Sequence, residues 1–322
     1  MTTARAPRVV VADQAFGQVA HERAAAERFG AAFAEHHCTD EAQTVDAVRD
    51  ADVVFLNFAP MTRPALAALA PGATVIRYGI GYDNVDVAAA RELGVRVANV
   101  PDYGTETVAD HAVACLLALL RRLPVYDHAI RAAGWVGPAD VGALPGLAAA
   151  TVGLVGTGGI GLAVRERLRP FGCAVLASDP YADPAVLAGR DIERVPLAEL
   201  LARSHAVTLH APATPETVSL LGRENLALMR PGAVLVNTAR GALVDHAALA
   251  EALAEGRLAG AALDVHDPEP LPADSPLRAL PQVILTPHAA FYSTESVDAL
   301  QRLAAEEAAR ALAGEPLRCR VA

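Results

Sequence analysis

The chain has 322 residues, 53% of them hydrophobic and 20% charged, with a mean hydropathy of +0.28, a balance that excludes disorder and predicts a sizeable core. The length exceeds the ~100–200 residues typical of one domain, so two domains are expected. A formal charge of −10 argues against a nucleic-acid partner, which would draw on clustered Lys and Arg.

The first segment, MTTARAPRVVVADQ, carries basic residues but neither a long apolar run nor a signal-like cleavage site, and a cytoplasmic location is expected. RVVVAD (8–13), ADVVFLN (51–57), ATVIRYG (73–79) and VRVANV (95–100) read as strands, with Ala-rich or Asp-capped helices between them. This first hundred residues suits a small doubly wound domain. The His36-His37 doublet reads as a solvated helix end.

A long helix begins near Thr105 and ends at Arg121-Arg122. Its most apolar part, Val108 to Leu120, is shorter than the ~20 residues a bilayer requires, and it carries Asp110 and His111, which makes it a core helix. The stretch from Pro124 to Leu147 has weak periodicity and reads as a boundary and protruding arm. Then come TVGLVG (151–156), AVLASD (174–179), AVTLH (206–210), AVLVNTA (233–239), GAALDV (260–265) and VILTPH (283–288), six strands for a Rossmann-type sheet. One Ala/Glu-rich helix, roughly Ser293 to Ala313, ends the chain and would complete a discontinuous first domain. The class is α/β. Cys38, Cys115, Cys173 and Cys319 lack CxxC spacing, fit neither a zinc site nor a disulfide framework, and are expected to be reduced.

Gly156-Thr157-Gly158-Gly159-Ile160-Gly161 follows an apolar strand and opens a helix, the setting required for a dinucleotide fingerprint. Gly156 would permit the tight turn, Gly158 the approach of a pyrophosphate, and Gly161 close helix–strand packing. Asp179 lies at the expected ~20-residue distance, where a carboxylate accepts ribose hydroxyls and repels a 2'-phosphate. Pro180 and Tyr181 offer no cation for such a phosphate. NAD is therefore expected over NADP, the bland alternative being a glycine-rich turn without ligand.

NTARGALVD, LDVHDPEP and TPHAAFYS stand at or beyond the carboxyl ends of successive strands, where open α/β sheets bind ligands. Arg240 there would grip a carboxylate in bidentate fashion; a turn-capping surface arginine is the alternative. Glu269 and His288, nineteen positions apart, would form an oriented acid/base pair able to protonate a reduced carbonyl. Among the other histidines, His111 and His210 are candidates for the cleft, and no His pair shows a metal-ligand pattern.

These motifs, together with IRYGIGYDNVDV (76–87) and NVPDYGTETVADHAVACLLALLRR (99–122), resemble the D-isomer-specific, NAD-dependent 2-hydroxyacid dehydrogenase family over nearly the whole chain. The resemblance implies two Rossmann-like doubly wound domains: a discontinuous, flavodoxin-like substrate domain of residues 1–101 plus 289–322, and a central NAD-binding domain of 102–288, with the active site in the cleft between them. It implies Arg240 as substrate anchor, Glu269 as histidine partner and His288 as proton donor. Backbone amides around Tyr78, Gly79, Ile80 and Gly81 would bind the substrate carboxylate, with Arg77 beside them and Phe291 shaping the pocket. Arg77 and Tyr78 hint at a second polar group on the substrate. Cofactor contacts implied by the resemblance add Gly159, Ile160, His210, Ala211, Pro212, Thr217, Thr238, Ala239, Asp264 and Ala290. The family also implies a homodimer embraced by the arm.

VHDPEP and TPHAAFYS look most like the C-terminal-binding-protein branch, NAD-binding corepressors in animals, although Phe291 stands where that branch has Trp. An NAD(H)-sensing binding module with little turnover is therefore the alternative to a dehydrogenase; another NAD-using Rossmann enzyme is a third reading. By length, forms of phosphoglycerate dehydrogenase with a regulatory module are not expected. Formate dehydrogenases are disfavoured because they carry Gln where this chain has Glu269, while phosphite dehydrogenases keep the acid/base pair.

Overall fold

The computed structural model describes residues 5–322, and the chain divides into two compact units: the residues up to Gly104 together with Ser293–Ala322, and Thr105–Tyr292. In the first unit β1 (Arg8–Val11), α1 (Ala20–Arg28), β2 (Ala32–Glu35), α2 (Glu41–Val48), β3 (Val53–Leu56), α3 (Arg63–Ala67), β4 (Thr74–Arg77), α4 (Val87–Leu93) and β5 (Arg96–Ala98) follow one another. The five strands are all parallel, in the order β2-β1-β3-β4-β5. The order reverses between β1 and β3, which makes their carboxyl ends the switch point of the sheet.

Parallel strands are covered on both faces, and so the valine-rich runs of β1 and β3 are apolar throughout rather than alternating. The C-terminal helix, Thr294–Ala313, supplies one cover: Leu300, Ala304, Ala308 and Ala311, spaced for one helical face, cluster with Val9, Val11, Val53, Phe55 and Ile76. Ser293 caps that helix by accepting the Ser296 amide, and Arg320 bridges antiparallel to Ala98 beyond it.

The second unit contains α5 (Thr105–Leu120), α6 (Leu123–Ala133), β6 (Thr151–Val155), α7 (Gly159–Leu168), β7 (Ala174–Ser178), α8 (Pro184–Ala188), β8 (Glu193–Arg194), α9 (Leu197–Arg203), β9 (Ala206–Leu209), α10 (Arg223–Leu228), β10 (Val234–Asn237), α11 (His246–Ala254), β11 (Gly260–Leu263) and β12 (Val283–Leu285). Its strands are parallel in the order β12-β11-β10-β9-β6-β7-β8, the doubly wound order, reversing between β6 and β9. The small residues of α5, Ala109 and Ala112, let it pack closely in the cluster that holds β6, β10 and β11 residues, with Leu116 and Leu119 filling the rest.

Several expectations are corrected. The first sheet has five strands because Ala32–Glu35 pairs with β1 at the edge; this alanine-containing run, half exposed, has no β-branched signature. His36 and His37 therefore follow a strand, not a helix. The second sheet gains a seventh, two-residue edge strand, β8. The long helix stops at Leu120, and the expected irregular arm begins instead with the eleven-residue α6.

Candidate active site

The glycine turn is shaped by what surrounds it. Gly156 has φ +93°, and a Cβ there would lie 2.8 Å from the His210 carbonyl carbon and oxygen. A Cβ on Gly161 would collide with the Gly156 carbonyl oxygen, whereas one on Gly158 would meet nothing within 4 Å. Gly156 and Gly161 are thus demanded by the fold itself. Gly158, at the N-cap of α7, leaves open space beside free helix-terminal amides, the cradle a pyrophosphate needs.

Asp179, just beyond β7, accepts the Thr157 amide and hydroxyl on Oδ2, both at 2.8 Å, and the Tyr181 amide on Oδ1 at 2.9 Å. Partial burial alone would raise its pKa, but these donors hold it below the ordinary value. The carboxylate is ionised at neutral pH and retains acceptor capacity on Oδ1. Thr238 Oγ1 is buried and has no partner among the described residues, a second sign of a site shaped for a group that brings its own polar atoms.

The adjoining loop is internally braced. Thr217 Oγ1 accepts the Thr214 amide and donates to the Pro212 carbonyl, each at 2.7 Å, fixing the turn that carries Ala211 and Pro212. His210 hydrogen-bonds to Thr208 at 3.0 Å, and burial pulls its pKa down to about 4, so its ring is neutral.

Three chemical residues stand on turns after β10, β11 and β12. Asn237, buried at the end of β10, accepts the Ala239 amide at 3.0 Å and donates to the Arg240 carbonyl at 2.8 Å, which folds the turn and projects Arg240. Arg240 Nη1 donates to the Ala239 carbonyl, and the residue is half-buried. Next to it, a Cβ on Gly241 would collide with the His266 carbonyl, so only glycine lets the two turns touch.

His288 Nδ1 lies 2.9 Å from Glu269 Oε2, with both side chains about a third exposed. Glu269 Oε1 accepts the His266 amide at 2.8 Å. Burial alone would raise the Glu269 pKa; the bond and charge of His288, then the His266 amide, bring it below its ordinary value. The carboxylate is therefore ionised and orients the imidazole, leaving Nε2 as the working nitrogen.

In the first unit, the segments after β3 and β4 are stitched together. Asp13, beyond β1, accepts the amides of Asn57, Phe58 and Ala59 on its two oxygens, at 2.8, 2.6 and 3.1 Å. Asn84 Nδ2 donates to the carbonyls of Asn57 and Ala59, and Met61 bridges to Val85. Between these anchors the amides of Gly79, Ile80 and Gly81 have no acceptor among the described residues. Arg77 Nη1 packs directly against Gly79, whose φ of +110° excludes a side chain.

A sequence profile for the NAD-binding domain of D-isomer-specific 2-hydroxyacid dehydrogenases matches residues 113–290. The chain belongs to this family. It is 42% identical over 277 residues to a D-3-phosphoglycerate dehydrogenase of Mycobacterium bovis, covering 86% of this chain and 52% of that protein. It thus spans about half the length of that relative. A glyoxylate reductase of Korarchaeum cryptofilum is 40% identical over 265 residues, covering 81% of this chain and 80% of the relative. The crystal structure of the TT0316 protein of Thermus thermophilus superposes with a TM-score of 0.85 at 36% identity, over 98% of this chain and all of the other.

As a family member the chain departs from one expectation in detail. Tyr78 is 1% exposed, stacks on Phe55 and donates its hydroxyl to Glu22 Oε1 at 2.7 Å; its amide is spent on the Leu56 carbonyl. It therefore offers neither an amide nor a polar group to a substrate. Sequence reasoning does not single out Asp13, Asn84, Asn237 or the buried Glu22. Nothing local marks Asp13, Asn84 or Glu22, because their partners lie far away in the chain, whereas Asn237 bonds within its own turn and is signalled only by its place at the end of an apolar strand.

Proposed function

We propose that the chain is an NAD-dependent D-2-hydroxyacid dehydrogenase of the cytoplasm that interconverts a small 2-oxo acid and its D-2-hydroxy acid. The observation that carries this reading is the His288–Glu269 pair, an imidazole held at 2.9 Å by an ionised carboxylate at the carboxyl edge of a doubly wound sheet. Bound NADH would supply the hydride. Gly158, the amides opening α7 and Thr238 would hold the cofactor, while Asp179 would accept ribose hydroxyls and disfavour a 2'-phosphate.

In this reading Arg240 grips the substrate carboxylate and polarises the neighbouring carbonyl. His288 Nε2 gives its proton to the carbonyl oxygen as negative charge develops there, and Glu269 stabilises the imidazolium beforehand. In the reverse direction neutral His288 takes the hydroxyl proton. Asp264 and Ala290 shape the segment that presents His288, with Phe291 next along it.

The proposal extends to a homodimer. No residue of α6 is buried, and Leu123, Ile130 and, just beyond it, Trp135 are 56%, 38% and 81% exposed, apolar area that a second copy would cover. Four free cysteines suit a reducing compartment, and among the described residues no helix is long and apolar enough to cross a membrane.

The test is NADH oxidation with a panel of 2-oxo acids, comparing the native protein with His288→Ala and repeating with NADPH. Turnover that falls about 10²–10⁴-fold in the variant is expected. Tight NADH binding with no turnover of any acid would favour the cofactor-sensing alternative instead.

A further inference from the structure

His266, on the turn after β11, touches each of the turns that carry Arg240, Glu269 and His288. Its carbonyl packs against Gly241, the neighbour of Arg240, where a Cβ would collide with it. Its amide donates to Glu269 Oε1 at 2.8 Å. Its ring reaches the turn after β12, with Nε2 lying 3.2 Å from the carbonyl oxygen of Thr286, just ahead of His288.

A carbonyl oxygen only accepts, so Nε2 carries the proton and Nδ1 is left with the lone pair. Nδ1 is buried and has no partner among the described residues. The other tautomer would strand a buried N–H there and break the bond to Thr286, which fixes the ring in the Nε2–H form. Against the same ring stands His246, the first residue of α11, edge-on with centroids 6.1 Å apart. Burial, and then His266, hold the His246 pKa below its ordinary value, so this neighbour is uncharged at neutral pH. An aromatic hydrocarbon would fill the space beside His246 as well as an imidazole does. Packing therefore does not ask for histidine, whereas the Thr286 carbonyl does.

Resting on the dehydrogenase reading, we infer that His266 is a positioning residue: its ring ties the Glu269 turn to the segment ahead of His288 and so keeps the carboxylate on the imidazole. It acts through Glu269 and touches neither substrate nor cofactor.

His266→Phe keeps a flat ring and loses the donor, whereas His266→Gln puts an amide N–H where Nε2 stands. With NADH and the 2-oxo acid the native chain turns over, His266→Phe should lower kcat about 10-fold or more while NADH affinity holds, and His266→Gln should recover most of the loss. In a Glu269→Gln background the same His266→Phe change should alter kcat by less than about 2-fold, because the carboxylate it aims is gone. Imidazole nitrogen NMR of the full chain without substrate gives a readout apart from turnover. His266 should appear as the Nε2–H tautomer, and His288 should be protonated on Nδ1 in the native chain and His266→Gln but a mixture of tautomers in His266→Phe. An Nδ1–H tautomer at His266, an unchanged His288 spectrum in His266→Phe, or additive losses in the double variant overturns the inference and leaves the dehydrogenase intact. No turnover of any acid by the native chain, with the NMR contrast present, removes the dehydrogenase and leaves His266 as the residue that holds the pair together.

Discussion

Asp264 holds His288 through the backbone: the His288 amide donates to the Asp264 carbonyl at 2.7 Å, and the Asp264 carboxylate takes Thr286 Oγ1, Ala289 N and Ala290 N at 2.6, 2.8 and 2.9 Å. Between these anchors His288 adopts φ +55°, a left-handed conformation that costs a non-glycine residue of order 1 kcal/mol or more. His111 adds a contact to Thr286 Oγ1 at 3.2 Å. Asp264 is 2% exposed, so each of these bonds is shielded from water.

Asp264→Asn removes one acceptor and sets an amide NH2 against backbone donors, at a cost of about 1–3 kcal/mol in stability. The left-handed turn should loosen, and turnover should fall about 10–100-fold with a displaced pH optimum. Thermal melting and a pH–rate profile read these separately. Native-like values for both would remove Asp264 from the positioning of His288.

The acid/base pair also predicts a pH signature. Glu269 has a folded-state pKa below its ordinary 4.5, so its contribution to stability is complete above that value and is lost as pH falls through the folded-state value. Glu269→Gln should therefore be less stable than the native chain at neutral pH and equally stable in acid. Urea denaturation across that range measures the difference. A gap that is constant with pH would mean that the pairing does not involve the carboxylate charge.

The glycine turn separates folding from binding. Gly161→Ala should destabilise the protein by about 1–3 kcal/mol, because its methyl group meets a backbone oxygen that has no room to retreat. Gly158→Ala has open space and should melt like the native chain, yet lose NADH affinity by about 10-fold or more, since the methyl would occupy the pyrophosphate position. Calorimetric titration with NADH alongside melting tests the contrast; equal affinity in Gly158→Ala would place the cofactor elsewhere.

Glu22 gives a prediction of opposite sign. It is 0% exposed, takes the Tyr78 hydroxyl, and leaves Oε2 without a partner among the described residues. Burial raises its pKa above 4.5 despite that hydrogen bond, so the native state favours the proton; this contribution is complete below 4.5 and is lost as pH rises through the folded-state value. Glu22→Gln should match the native chain in acid and exceed it in stability at alkaline pH. A variant less stable at every pH would show that the carboxylate is needed in its charged form.

Local chemical features are legible in the sequence, and long-range pairings are not. The glycine turn, Asp179 and the segments bearing Arg240, Glu269 and His288 can be found because each sits at or beyond the end of a strand whose apolar run announces it. The same rule misses β2 and β8, which are short edge strands that owe their form to a neighbour rather than to β-branched residues. It misleads at Tyr78, whose hydroxyl is claimed by a glutamate 56 positions earlier, on α1. α6 escapes it because Pro124 and the glycines that follow break the periodicity, whereas a proline at an early helical position starts a helix.

The first unit takes its covering helix from the far end of the chain, and this orders the steps by which the protein can assemble. Thr105–Tyr292 is one unbroken stretch and can complete its sheet as it leaves the ribosome. The five-stranded sheet must wait, with Val9, Val11 and Phe55 short of their partners, until Leu300 to Ala311 have been made. During that interval its bare face is the sticky surface of the nascent chain, and a chaperone or the early folding of the intervening stretch shortens the time it stays open.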